Sequence, residues 1–158
     1  MGRQPAQHRL RLGRYSATGV TYSVTICCLD RQPLLVSDAA KVIVAEAVQG
    51  MLGRGFARLD GYVIMPDHLR LVFELGAGKD LAGAVGDLKK YIARRINAAL
   101  GRSGRLWQRG CFDHAIRGEE DYRRYLEYML GNPVRAGLAN RIDECPWGRV
   151  GPWEAPTA

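Results

Sequence analysis

Two apolar, β-branched runs in the middle of the chain, Ala57 to Met65 and His68 to Leu75, are separated only by Pro66-Asp67. Strands joined by two residues pair antiparallel, because a parallel pair needs a crossover of a dozen or more residues. Any fold of this chain is therefore built on that hairpin. Alternation along its second strand sends Leu69, Leu71, Phe73 and Leu75 to one face and His68, Arg70, Val72 and Glu74 to the other. The first set reads as core. The second sets a histidine and a guanidinium side by side on the opposite face.

The flanking sequence supplies partners for the hairpin. Thr21 to Leu29 alternates polar and apolar residues and predicts a half-buried strand. Asp30 to Pro33 is a turn. Ser37 or Asp38 can cap a helix to about Leu52, with Val44, Val48, Met51 and Leu52 in one stripe and Gly53 and Gly55 as its stop. After Gly76-Ala77-Gly78, a helix from about Asp80 to Leu100 carries Leu81, Val85, Leu88, Ile92, Ile96 and Ala99 on one stripe. Lys90 and Arg94 lie opposite that stripe, with Lys89 and Arg95 on its flanks. Residues 112–117 predict a fourth strand. A last helix opens with Glu119-Glu120-Asp121, suited to the positive end of a helix dipole, and ends near Asn132-Pro133. This order predicts an α+β fold, an antiparallel sheet with helices packed on one face, ferredoxin-like or RNA-recognition-motif-like, with the other face free for a ligand. One domain is expected over residues 1–158, with a basic arm at 1–18 and a tail at 139–158 that wraps back.

Composition narrows the partner. Hydrophobic residues make up 47% of the chain, which excludes intrinsic disorder. Twenty-three Lys and Arg against 16 Asp and Glu leave a net charge of +7, which fits a polyanionic partner or a merely soluble basic protein. The Lys89, Lys90, Arg94, Arg95 helix and the arm with Arg9, Arg11 and Arg14 are candidate contacts to a nucleic-acid backbone; the other reading of the helix is a solvated face. No run of 18 apolar residues exists and the first residues lack an apolar stretch, so a cytoplasmic, nucleoid-associated place is expected. Cys27, Cys28, Cys111 and Cys145 form no C-x-x-C, so neither a zinc site nor a thioredoxin-type motif is indicated and buried reduced thiols are expected.

The last helix holds Tyr122, Tyr125 and Tyr128. Tyr122, Leu126 and Met129 form its apolar stripe, and Tyr128 lies about 120° off it. Tyr128 is therefore either a surface tyrosine or an exposed nucleophile. Asn132, four residues on, shares about the same face. A tyrosine with an ordinary pKa of about 10 attacks poorly unless its phosphate target is polarised by a metal ion or by cations.

Three blocks together resemble a known family. Tyr62-Val63-Ile64-Met65-Pro66-Asp67-His68-Leu69-Arg70-Leu71-Val72-Phe73 resembles the V-V-M-P-N-H-V-H-L segment of transposases with one catalytic tyrosine and a His-hydrophobe-His motif. Trp107 to Arg117 (WQRGCFDHAIR) is similar to their W-Q-R-G-x-x-D-H-x-I-R block. Glu119-Glu120-Asp121-Tyr122 and Tyr128 to Leu138 (YMLGNPVRAGL) are similar to their E-E-D-Y and Y-I-x-x-N-P-V-x-A-G-L segments. The blocks keep their order over about residues 15–150, and within the family they resemble the REP-associated branch. The resemblance implies a protein that binds single-stranded DNA folded into hairpins of repetitive extragenic palindromes. It implies cleavage and rejoining by a tyrosine through a 5′-phosphotyrosine link, with a divalent metal, Mg²⁺ or Mn²⁺, held by two histidines and an amide. The nucleophile maps to Tyr128, the first histidine to His68 and the amide to Asn132. A monomer or a homodimer is implied.

The second histidine maps to Arg70, which stays protonated and is no metal ligand. Three readings are open from the sequence. The metal site is dead and the protein is a hairpin DNA or RNA binder that no longer cuts. Or Arg70 grips the scissile phosphate directly. Or a weak site survives on His68, Asn132 and an acid, Asp67 or Glu74. Glu74 lies about 20 Å along the strand from His68, and Asp67 nominally points to the other face.

Overall fold

The computed structural model describes residues 16–141 and 147–154. Pro66-Asp67 turns the chain straight back: β2 (Phe56–Met65) pairs antiparallel with β3 (His68–Leu75), with Met65 opposite His68 and Val63 opposite Arg70. The other edge of β3 takes β1 (Thr21–Cys27), and β1 in turn takes β4 (Phe112–Ala115), both antiparallel. Between β1 and β2 runs α1 (Asp38–Gln49), whose Ser37 cap accepts from the Ala40 N–H at 3.1 Å. Between β3 and β4 runs α2 (Leu81–Leu100), capped by Asp80 on the Gly83 N–H at 2.7 Å and ended by left-handed Gly101. These six elements are the expected ferredoxin-like arrangement. The tail does wrap back, as β5 (Gly148–Glu154), which joins the free edge of β2 and completes a five-stranded sheet ordered β4-β1-β3-β2-β5.

Two cores sit on the two faces of this sheet. Val24, Ile26, Leu69, Leu71 and Phe73 face Val44 and Val48 of α1 and Leu88 and Ile92 of α2. The opposite face carries Val63, Met65 and Val72, which would be wet if left bare. They are covered by α3 (Glu119–Leu130) through Met129, Leu126 and Tyr122. Helices on one face therefore describes α1 and α2; α3 crosses to the face expected to be free for a ligand and leaves part of it open. Gly61, at the register shift of β2, makes room for this helix: a Cβ there would sit 2.7 Å from the Met129 methyl and 3.0 Å from the Arg149 carbonyl. Beside it Asp60, 1% exposed, accepts from Arg58 Nε at 2.8 Å and from the Tyr122 hydroxyl at 2.7 Å. After Gly131 the chain makes one further turn, α4 (Asn132–Arg135), with Pro133 in its first turn, where no intrahelical N–H is needed.

Cys27, Cys28 and Cys111 are buried free thiols, as expected; burial pushes Cys28 to about 11 and Cys111 to about 12. Cys145 and most of the basic arm, including Arg9, Arg11 and Arg14, lie outside the described residues.

Candidate active site

Along β3 the side chains opposite the large core begin with His68 and Arg70. Thr25 is the β1 partner of Arg70, and Phe112 the β4 partner of Thr25, so all four share one face. On the same face α3 ends with Tyr128 directed outward, 52% exposed, because Met129 beside it is buried against the sheet. A cavity of about 280 Å³ is lined by Thr25, Arg31, His68, Arg70, Phe112, Tyr128 and Asn132. Four residues assigned from the sequence, His68, Arg70, Tyr128 and Asn132, thus meet in one place within one chain.

Guanidiniums dominate it. The Arg70 Nε–H donates to Thr25 Oγ1 at 3.0 Å, and its guanidinium carbon lies 4.8 Å from the Tyr128 ring centre. The Arg135 guanidinium lies 4.0 Å from the same ring centre, and its Nη2 donates to Asn132 Oδ1 and to the Tyr128 carbonyl. Such contacts orient an exposed ring.

His68 faces the cavity with its Nδ1 held 2.7 Å from Asp67 Oδ1. The other Asp67 oxygen accepts from Arg31 Nε at 2.9 Å. Burial alone would raise the Asp67 carboxyl, but the bonds from His68 and Arg31 outweigh it and hold Asp67 below its ordinary value. Burial lowers the His68 imidazole; Asp67 pulls the other way, and the charges of Arg31 and Arg70 push it down further, for a net lowering. The lowering favours the neutral imidazole. Its bond to the carboxylate assigns the hydrogen to Nδ1 and leaves the Nε2 lone pair free.

This donor set does not fit a divalent cation. Among the described residues no three His, Cys, Asp or Glu side chains come together. Both Asp67 oxygens are taken, and Glu74 pairs with Arg58 at 3.6 Å outside the cavity. His68 Nε2 and Asn132 Oδ1 remain, the latter already held by Arg135, and Arg31 and Arg70 would repel a cation.

The other assigned cations lie elsewhere. Lys89 is corrected: its ammonium points inward and donates to the Gln108 and Gly110 carbonyls, both at 2.9 Å, so it braces the 108–110 loop rather than offering itself to DNA. Burial lowers its pKa. Lys90, Arg94 and Arg95 are exposed on α2, across the sheet from Tyr128, and Arg95 is engaged with Tyr91 at 3.0 Å and Glu46 at 3.6 Å. Trp107 is buried, whereas Phe112 is 43% exposed in the cavity. The sequence did not point to Arg31 or Arg135 as site residues. Arg135 sat within a matched block, but Arg31 carried no signal.

Comparison with known proteins accords with this geometry. The family model "Transposase IS200 like" matches residues 16–129. The REP-associated tyrosine transposase of Escherichia coli K12 is 25% identical over 134 residues, covering 85% of this chain and 78% of that one. A solved structure of a REP-associated tyrosine transposase bound to a REP hairpin superposes with a TM-score of 0.65 at 24% identity, over 85% of this chain and 79% of that one, which shows a common fold. Transposases of this family are generally metal-dependent. No helix among the described residues is long and apolar enough to cross a membrane. With the family model spanning most of the chain and the antiparallel fold shared with a solved REP-associated tyrosine transposase, this protein belongs to the IS200-like transposase family.

Proposed function

We propose that this protein binds single-stranded DNA folded into REP-type hairpins, and that Tyr128 is the nucleophile that cuts and rejoins it. The observation that carries the reading is the exposed Tyr128 ring in one cavity with His68, Arg70 and Asn132. In the cut, the Tyr128 oxygen bonds to phosphorus, the bond from phosphorus to the 3′ oxygen breaks, and that oxygen leaves with a proton. A 5′-phosphotyrosine and a free 3′-hydroxyl result, and rejoining is the reverse. Arg70 contacts the phosphate. Lys90, Arg94 and Arg95 supply backbone attraction away from the reacting atoms, and Arg9, Arg11 and Arg14 do the same for a hairpin stem. The cation that the resemblance implies, Mg²⁺ or Mn²⁺, finds at most His68 and Asn132, and no step is assigned to it.

Because nucleophile and cradle come from one chain, a monomeric domain suffices. A cytoplasmic, nucleoid-associated place goes with this activity. A second reading, a hairpin binder that does not cut, is favoured by one observation: Arg70 stands where the family has its second histidine. An adduct assay decides between them. Labelled single-stranded hairpins from the gene's flanking repeats are incubated with the protein under Mn²⁺, Mg²⁺ or EDTA and run on a denaturing gel. The expected result is a covalent protein–DNA band that Tyr128→Phe abolishes. Hairpin binding with no band under any condition makes the second reading the right one.

A further inference from the structure

Arg31 belongs to none of the blocks that resemble the family, yet its guanidinium lines the Tyr128 cavity. It is brought there at a cost. Asp30 and Arg31 both take left-handed backbone, with φ of 53° and 56°, which residues bearing a Cβ avoid. Sterically unfavourable backbone of this kind clusters at functional sites. The head group is then fixed along one edge, its Nε–H donating to Asp67 at 2.9 Å and its Nη1 to the Cys27 sulfur at 3.2 Å. Arg70 is held in the same manner, its Nε–H spent on Thr25 at 3.0 Å. Both guanidiniums keep Nη hydrogens for a further acceptor. Two fixed forks on one cavity repel each other and any cation, whereas a phosphate with several oxygens satisfies both.

We propose that Arg31 and Arg70 form a two-guanidinium clamp that seats one phosphate of the DNA strand beside the Tyr128 hydroxyl, without a divalent cation. The clamp deepens the proposed function and rests on it for the identity of the phosphate as DNA. Asp67 is its positioning residue, tying Arg31 and His68 together.

The first test needs no DNA. Inorganic phosphate is titrated into the full chain in EDTA, and the ¹H–¹⁵N signals of the Arg31 and Arg70 Nε–H groups are followed by NMR. Both signals are expected to move and saturate together, and Arg31→Gln is expected to weaken phosphate binding by about tenfold, the order of a charge-assisted hydrogen-bond pair. Arg31→Lys, which keeps charge and loses the fork, falls between. Signals that stay still, or that move only when Mn²⁺ is added, overturn the clamp. So does unchanged phosphate affinity in a folded Arg31→Gln. Should Arg31→Gln fail to fold by its melting curve, the parent's signals and Arg31→Lys decide.

The second test uses fluorescence anisotropy with a hairpin bearing a single-stranded flank and with the same hairpin trimmed of it. Arg31→Gln is expected to lose about tenfold on the flanked hairpin and nothing on the trimmed one; equal affinity for both DNAs in parent and variant overturns the clamp. If phosphate moves both arginine signals but neither hairpin binds, the DNA reading fails and the clamp stands.

Discussion

Tyr128 is held by its neighbours' charges rather than by burial. Two guanidiniums flank its ring, and one of them, Arg70, occupies the strand position of an expected metal ligand. On the proposed function, converting that residue changes which electrostatic device serves the phosphate. In Arg70→His the imidazoles at 68 and 70 share a face with Asn132, so the adduct yield in Mn²⁺ is expected to exceed that in EDTA by about tenfold, the order that metal-site ligation contributes. In the parent the two yields are expected to match; the denaturing gel reads both. At this scale much of the site was legible. His68, Arg70, Tyr128 and Asn132 fall in ordered blocks, and the helical period alone set Tyr128 off the core stripe. Arg31 was not legible, because a left-handed turn made by Asp30 and Arg31 has no glycine to announce it.

What places Tyr128 over the cavity is the seat of α3. Tyr122, one stripe residue in from the start of the helix, donates to the buried Asp60 carboxylate, and Asp121 accepts from the Arg117 backbone N–H at 3.0 Å while lying 3.0 Å from His114 Nε2 on β4. The Arg117 N–H, then His114 and Arg124, hold the Asp121 carboxyl down at about 2. Burial, and then the bond to Asp60, raise the Tyr122 phenol to about 12. The folded state therefore keeps that proton above pH 10, where the unfolded chain gives it up. The associated stability is complete below about pH 10 and is lost as pH climbs toward 12. Tyr122→Phe is expected to lower unfolding free energy by about 1–3 kcal/mol at pH 7, since it leaves a buried acceptor short of a partner. It should also flatten the alkaline decline; urea titrations across pH measure both. The sequence announced this helix but not its side of the sheet. A 3.6-residue stripe states that a face is apolar, not which face of a sheet will take it. The same limit hid β5, whose Gly148, Gly151 and Pro152 carry no strand pattern and are tolerated because the strand lies at an edge.

Across the whole molecule, the exposed cations of α2 lie across the sheet from the guanidiniums that gather around Tyr128. The net +7 includes Lys90 and Arg94 on α2, on the far side from Tyr128. On the proposed function, charges so placed raise affinity for DNA without touching the reacting atoms. The double substitution Lys90→Gln with Arg94→Gln is expected to reduce the slope of log affinity against log salt by about two. At saturating DNA its adduct yield should equal the parent's. Anisotropy in a salt series and the gel assay separate the two effects, and a fall in yield at saturation would place α2 in the chemistry after all.

The pairing of β5 with β2 has a consequence for how the chain reaches this state. β2 is made early and its outer edge waits until residues 148–154 have been synthesised. The native sheet is thus completed by a contact between segments far apart in the chain, the kind of closure that slows folding. During translation the ribosome presents a chain whose β2 edge is a bare template for intermolecular pairing. For this protein, speed of synthesis and access to chaperones bear on yield through one seven-residue strand that lies outside the Tyr128 cavity.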